Sequence, residues 1–378
     1  MILPGSTLGL LGGGQLGRMF CSAARSMGYD VVVLDPDPLS PAAHFATEHI
    51  CADFNDRRAL ELLATRCAAV TTEFENPPAE SLAWLAERIP VRPGANAVAI
   101  AQDRVREKTF FAENGFPVGP FAIIQSSADI DAARRAIQFP AILKTARFGY
   151  DGKGQARVAN AAAAQQTFQS LRGVPCVLEQ LLPLKLEVSV VLARGQDGAI
   201  ATFPVSENQH QDGILDVSIA PARIAAPLAK QAQNIAAKLA KKLDYCGVLA
   251  VEFFVVNDEF GQEKLIINEI APRPHNSGHY TIDACLTSQF EQQVRALCAL
   301  PLGPTEQHTP AVMVNLLGDV WKNNLLAAEK ILQSANVKLH LYGKREARPG
   351  RKMGHYTVLD VDVDGALLCA LETKRRLV

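Results

Sequence analysis

Hydrophobic positions form a short apolar run over residues 6–12, then take a helical spacing at Leu16, Met19, Phe20 and Ala23. Val31-Val32-Val33-Leu34 ends on Asp35 between prolines and predicts a buried strand. A helical pattern after Asp56 and a strand-like run over Ala68–Glu73 continue the alternation. Strand and helix alternating at this spacing predict a doubly wound parallel sheet. The texture changes after Val91-Arg92-Pro93-Gly94: a charged helix runs from Asp103 to Asn114, and Ala141–Lys144 follows as a strand. Beyond a glycine-rich loop, Leu186–Leu192 and Ala250–Val256 alternate as antiparallel strands do. After Pro301-Leu302-Gly303-Pro304, a last segment reads as short strands and turns, and from about residue 361 it carries no functional signal. The fold class is α/β and α+β, with units expected at 1–101, 102–300 and 301–378.

Composition narrows the classes. The 378 residues are 48% hydrophobic and 20% charged, ordinary for a soluble multi-domain chain. A formal net charge of -1 provides no bulk field for nucleic acid or anionic membrane, so phosphate binding has to be local. No apolar run reaches the ~18–20 residues of a membrane span. The N-terminus turns glycine-rich before a signal peptide's apolar region could be completed. Eight scattered cysteines without a C-x-x-C pair read as reduced thiols, and the expected location is the cytoplasm.

Two glycine clusters offer chemistry. Gly12-Gly13-Gly14-Gln15-Leu16-Gly17 fits G-x-G-x-x-G, with Asp35 at the end of the next strand, which is the fingerprint of a dinucleotide site. Such a loop exposes helix N-terminal N–H groups to any anion. A nicotinamide cofactor, a substrate's phosphate or ribose, and a purely structural turn therefore all remain open. The second cluster, Gly149, Tyr150, Asp151, Gly152, Lys153, Gly154 and Gln155, is not a Walker A motif. It could fold over polyphosphate with Lys153 and the preceding strand's Lys144 as donors, or be a solvated hairpin turn. In Val177–Leu182, Glu179 could meet an adenine amine or ribose hydroxyls, with Gln180, Leu181 and Leu182 beside it, or simply face water at a sheet edge.

Carboxylates come next. Val248–Val256 is apolar except for Glu252, and Lys264–Ile270 follows after the turn 257–262. A hairpin there sets Glu252 opposite Asn268 or Glu269. Two carboxylates meeting in apolar strands call for a divalent cation or a basic partner, and magnesium takes oxygen ligands shared with phosphates.

Taken together, the motifs resemble the ATP-grasp superfamily, and within it the N5-carboxyaminoimidazole ribonucleotide synthetase family. The resembling stretches are Gly14–Met19, Glu73-Phe74-Glu75-Asn76, Gln102-Asp103-Arg104, Gly149–Gln155, Glu207–Gly213, Asn268–Arg273, His275–His279 and Arg348–His355. They occur in the family's order and cover about residues 7–360. The resemblance implies a pre-ATP-grasp domain, a central ATP-grasp domain and a small β-rich C-terminal domain. It also implies ATP-dependent carboxylation of 5-aminoimidazole ribonucleotide by bicarbonate, through carboxyphosphate, in purine biosynthesis, with Mg2+ and a homodimer. Residue by residue, Arg104, Lys144, Lys153, Glu179, Glu187, His210, Asn268 and Glu269 are expected at ATP, together with the loop 149–155 and Gln180–Leu182. Glu252 and Glu269 are expected at the metal. Gln15, Leu16, Glu75, Asn76, His275, Asn276, Ser277, Lys344, Arg351 and Lys352 are expected around the ribonucleotide. Arg273 is expected to steady the carboxyphosphate, with Lys153 as the second catalytic group. Phe148 departs from the family by standing where a glycine is expected, and whether Lys344 or Arg345 meets the substrate phosphate stays open. Rival readings are a related ligase such as formate-dependent glycinamide ribonucleotide transformylase or biotin carboxylase, a nicotinamide oxidoreductase, and a nucleotide sensor without turnover.

Overall fold

The alternation in the first hundred residues yields, in the computed structural model, a parallel sheet of β1 (Thr7–Leu11), β2 (Asp30–Leu34), β3 (Glu48–Ile50) and β4 (Ala69–Thr72) in the order β3-β2-β1-β4. The structure describes residues 1–149, 153–322 and 325–377. Leu8, Leu10, Val31 and Val33 are fully buried because helices cover both faces of a parallel sheet. The helix Gln15–Ser26 presents Phe20, Cys21 and Ala24 to one face, where Val294, Leu297 and Cys298 of a later helix, Gln289–Leu297, and its end complete the cluster.

A second sheet is antiparallel: β5 (Phe121–Ile124), β6 (Ala141–Thr145), β7 (Gln155–Val158) and β8 (Cys176–Gln180), ordered β5-β8-β6-β7. The third and largest sheet contains β9 (Leu184–Arg194), β10 (Ile200–Thr202), β11 (Ser206–Gln211), β12 (Ile214–Ala220), β13 (Gly247–Asn257) and β14 (Glu263–Ala271). It continues through β15 (Ala311–Leu317), β16 (Val337–Leu341) and β17 (Lys352–Leu359) in the order β14-β13-β9-β11-β12-β15-β17-β16, with β10 on β9. β12 pairs directly with β15, so the central sheet runs on into the C-terminal segment. The core beneath it gathers Val188, Val190, Leu239, Val251 and Phe253, with the helix Ala226–Lys242 supplying Leu228, Ala232 and Ala236.

The C-terminal segment corrects one expectation. Besides short strands it holds the helix Val363–Leu377, which buries Ala366, Ala370, Thr373 and Leu377 against β15 and β17. Those positions have a helical period, but small side chains on a charged helix make a weak signal. All eight cysteines are free thiols. Among the described residues, no helix is long and apolar enough to cross a membrane.

Candidate active site

The glycine cluster at residues 12–17 is occupied by the protein's own carboxylates. Asp35 accepts from the Gly13 N–H at 2.6 Å, and Glu73 accepts from the N–H groups of Gly14 at 2.6 Å and Gly17 at 2.7 Å. Gly12 holds φ +102°, and a side chain there would meet Glu73 Cγ at 2.5 Å, so glycine is required for Glu73 to reach in. Burial pushes the Glu73 carboxyl up, opposed by the N–H groups of Gly17 and Gly14. The donors that a dinucleotide's pyrophosphate would use are taken, and Asp35 points at backbone rather than outward to a ribose. This overturns the nicotinamide reading of the motif, and it takes the Gly13, Gly14 and Gly17 N–H groups from a substrate phosphate as well. The fingerprint is one of geometry, and only tertiary structure shows that the end of β4 inserts an acid into it.

Around this loop, residues from all three sequence units converge. Gln15 accepts a hydrogen bond from Lys344 Nζ, which also donates to the Lys352 carbonyl at 2.8 Å. Leu16 is buried beneath. Glu75 pairs with Arg273 Nε, and Gln102 donates to the Glu75 and Pro77 carbonyls at 2.6 and 2.7 Å. Burial works against the Glu75 carboxylate, and the Arg273 guanidinium outweighs it, keeping the group below its ordinary range. Asn76 is exposed. Arg351 donates to the Glu346 carbonyl at 3.0 Å.

The hairpin β13–β14 places Glu252 opposite Glu269, on one face of the sheet. The register shifts immediately after that pair, leaving Asn268 as an extra residue in a bulge with its Oδ1 buried and without a hydrogen-bond partner. Glu269 accepts from Arg104 at 2.7 Å. Glu252 lies 2.9 Å from His275 Nε2, and Glu187, His210 and Glu252 present ligand atoms all within 4.8 Å of one another. These carboxylate oxygens, with an imidazole and an unpartnered amide oxygen nearby, are a donor set that suits a hard divalent cation and a polar ligand.

Nucleotide-side groups gather on the other flank. Lys144 Nζ is 3.0 Å from Glu179, at the end of β8, and the Gln180 N–H donates to the Pro120 carbonyl at 3.0 Å. The Leu181 N–H donates to Pro140, and Leu182 is half-buried. Gly149 sits beside Arg104, Gly154 accepts from the Thr145 N–H, Gln155 pairs with Lys144, and Lys153 is exposed. Tyr150, Asp151 and Gly152 lie outside the described residues. Phe148 adopts φ 60°, a left-handed conformation that favours glycine, and its ring is exposed beneath the Arg147 guanidinium.

The strap 275–279 is anchored from below. The Ser277 N–H donates to His275 Nδ1 at 3.3 Å, and the opposite ring nitrogen, Nε2, faces Glu252 at 2.9 Å. Ser277, expected at the ribonucleotide, is fully buried with its hydroxyl on Ser189 at 2.6 Å and on His275 at 2.8 Å, where it supports the His275 ring. Asn276 likewise turns to Asn315 at 3.1 Å. Gln289, which no motif marks, clamps His275 by donating to its carbonyl at 2.8 Å and accepting from its N–H at 2.8 Å.

Sequence reading also missed Glu107 and Lys108, although both share a helix face with Arg104 at i+3 and i+4. The Glu107 carboxylate accepts from the Ile270 N–H at 2.8 Å. Burial, then the nearby Glu269 charge, raises the Glu107 carboxyl to about 8, whereas Glu269 is lowered to about 2: burial opposes that shift, and Arg104 overcomes it. For a raised carboxyl the folded chain holds the proton longer, so its contribution to stability is whole below the ordinary 4.5 and is lost as pH rises to about 8. Glu107→Gln is expected to flatten the decline in urea stability between about pH 5 and about pH 8. A variant curve parallel to the parent's would refute that.

Comparison with known proteins assigns each part of the chain. The ribonucleotide synthetase preATP-grasp domain model matches residues 5–102, the ATP-grasp domain model 109–290, and the phosphoribosylaminoimidazole carboxylase C-terminal domain model 311–367. The N5-carboxyaminoimidazole ribonucleotide synthase of Bacillus subtilis (strain 168) is 43% identical over 95% of this chain and 93% of its own. A Staphylococcus aureus N5-carboxyaminoimidazole synthetase complexed with ADP superimposes with a TM-score of 0.91 at 40% identity, covering 98% of both chains. The Aspergillus clavatus synthase in complex with ADP and 5-aminoimidazole ribonucleotide gives 0.90 at 31%, again covering 98% of both chains. Three domain models matched in order, and relatives aligned almost end to end, mean that the chain belongs to the N5-carboxyaminoimidazole ribonucleotide synthase family.

Proposed function

We propose that this protein is an ATP-dependent ligase that joins bicarbonate to the exocyclic amine of 5-aminoimidazole ribonucleotide, forming N5-carboxyaminoimidazole ribonucleotide, ADP and phosphate in purine biosynthesis. The observation that carries this reading is the meeting of two donor sets across the hairpin β13–β14. Arg104 on Glu269 and Lys144 on Glu179 make up one set, and His275 on Glu252, Arg273 on Glu75 and Lys344 on Gln15 the other. In the reaction a bicarbonate oxygen attacks the γ-phosphorus, the β–γ P–O bond breaks, and ADP leaves. The amine nitrogen then takes the carboxyl carbon as the C–O bond to phosphate breaks and the amine loses a proton. Such a reaction needs positioning and charge neutralisation more than a covalent nucleophile.

In this assignment Arg104, Lys144, Lys153, Glu179–Leu182, Glu187, His210 and Asn268 bind ATP, with the loop 149–155 over its phosphates. Glu252 and Glu269 would hold Mg2+, which when bound neutralises phosphate charge. Gln15, Leu16, Glu75, Asn76, Lys344, Arg351 and Lys352 bind the ribonucleotide, and Asn276 and Ser277 shape the strap beneath it. Lys344 rather than Arg345 is assigned to the substrate phosphate, because its ammonium already reaches Gln15 on the opposite wall. Arg273 presents a fixed guanidinium to the developing oxyanions. The same reading takes the protein as a cytoplasmic homodimer with functional units 1–101, 102–300 and 301–378.

Phosphate release from Mg-ATP with bicarbonate tests the assignment. Release that depends on 5-aminoimidazole ribonucleotide, ignores glycinamide ribonucleotide with formate, and stops on chelation of Mg2+ is expected. Folded protein that releases phosphate with neither acceptor, or only with the second, would contradict it.

A further inference from the structure

The helix Arg104–Glu113 starts under Asp103, whose carboxylate accepts from the Val105 N–H at 2.9 Å and the Arg106 N–H at 3.3 Å. Its inner face presents Arg104, Glu107 and Lys108 to β14 and β8. Lys108 is only 2% exposed. Its ammonium donates to the Asn268 carbonyl at 2.8 Å, a group of the bulge residue, and lies 3.1 Å from one oxygen of Glu179. The other oxygen of Glu179 lies 3.0 Å from Lys144. One largely buried carboxylate thus sits between two ammonium groups, and only one of them, Lys144, stands on the strand that leads into the glycine-rich loop.

A buried lysine is costly unless paired, and an apolar side chain would pack this helix as well, so Lys108 calls for an electrostatic reason. The reason lies in competition. A polyphosphate arriving at Lys144 must draw that ammonium away from Glu179, and an unaccompanied carboxylate at this depth would hold it back. With Lys108 fixed in place by the Asn268 carbonyl, Glu179 keeps a counter-ion throughout.

We propose that Lys108 is a positioning residue of the nucleotide site, the resident counter-ion of Glu179 that leaves the Lys144 ammonium available to phosphate. The inference rests on the nucleotide reading of this site. Calorimetric titration of ADP into the full-length chain, Lys108→Met, Glu179→Gln and the double variant tests it. Lys108→Met is expected to weaken ADP about tenfold, because Glu179 then competes fully for Lys144. In the Glu179→Gln background, where no carboxylate competes, the same replacement is expected to cost about threefold or less. A merely structural lysine would cost as much in both backgrounds. A loss of about threefold or less in the single variant, or a loss of about tenfold repeated in the Glu179→Gln background, overturns the proposal. If Lys108→Met does not fold, the Glu179→Gln pair decides alone, since in neither of its members is a Glu179 carboxylate left without Lys108. Failure of the unmodified chain to bind ADP would instead remove the nucleotide reading itself.

Discussion

Arg273→Met is expected to lower the rate of ribonucleotide-dependent phosphate release at saturating substrates by about 10²–10³-fold. Arg273 follows strand β14, which carries Glu269, and its Nε is paired to Glu75 while Nη1 donates to the Pro274 carbonyl at 3.1 Å. These contacts hold the guanidinium in one orientation before any substrate arrives, which is the condition under which charge stabilisation accelerates a reaction. Methionine keeps much of the volume but removes the donors and leaves Glu75 without its cation. Arg273→Lys keeps the charge and loses the fork, so it should recover only part of the rate. ADP affinity, which depends on the other flank, should move by no more than about threefold in either variant. Turnover within about tenfold of the parent for Arg273→Met would remove Arg273 from the chemistry and reduce it to a partner of Glu75.

The largest expected loss of stability follows from Phe253→Ala. Phe253 is fully buried, next to Glu252 on β13, and the register shift that sets Glu252 opposite Glu269 begins there. Its ring packs in the cluster containing Val188, Val190, Leu239 and Val251, beneath the strand pair that carries both carboxylates. Truncation removes transfer free energy and leaves a cavity that a strand bonded on both edges, to β14 and β9, cannot collapse, for a cost of about 3–5 kcal/mol. Urea unfolding should show a lower midpoint at an unchanged slope, with Phe253→Leu losing distinctly less. A loss below about 1 kcal/mol would mean that the core there is not close-packed around the ring.

How much of this is legible beforehand varies with the range of the interaction. The strands at 31–34, 69–72, 141–145 and 247–257 and the helix after Asp103 are visible because their side-chain periods are local properties. The opposition of Glu252 is visible to within one residue, Asn268 or Glu269, since a short turn leaves a hairpin few registers, and the bulge at Asn268 selects Glu269. The helix Val363–Leu377 escapes notice because two alanines and a threonine form most of its buried stripe. Lys108 escapes because a lysine one turn into a charged helix looks solvated until its surroundings are known. The burial of Ser277 escapes because a donor-rich segment does not say which donors face inward.

The amino-acid order by itself determined most of the element sequence ahead of the C-terminal helix, the three units and the presence of phosphate- and metal-suited groups, because these follow from periodicity, turn residues and residue chemistry along short stretches. Tertiary structure alone decided that Glu73 fills the first glycine loop, that Lys344 reaches Gln15 across 329 positions of chain, and that Glu179 lies between Lys108 and Lys144. Each of those contacts joins segments distant in sequence, and their distances are set by how whole sheets and helices pack rather than by any local preference of the chain.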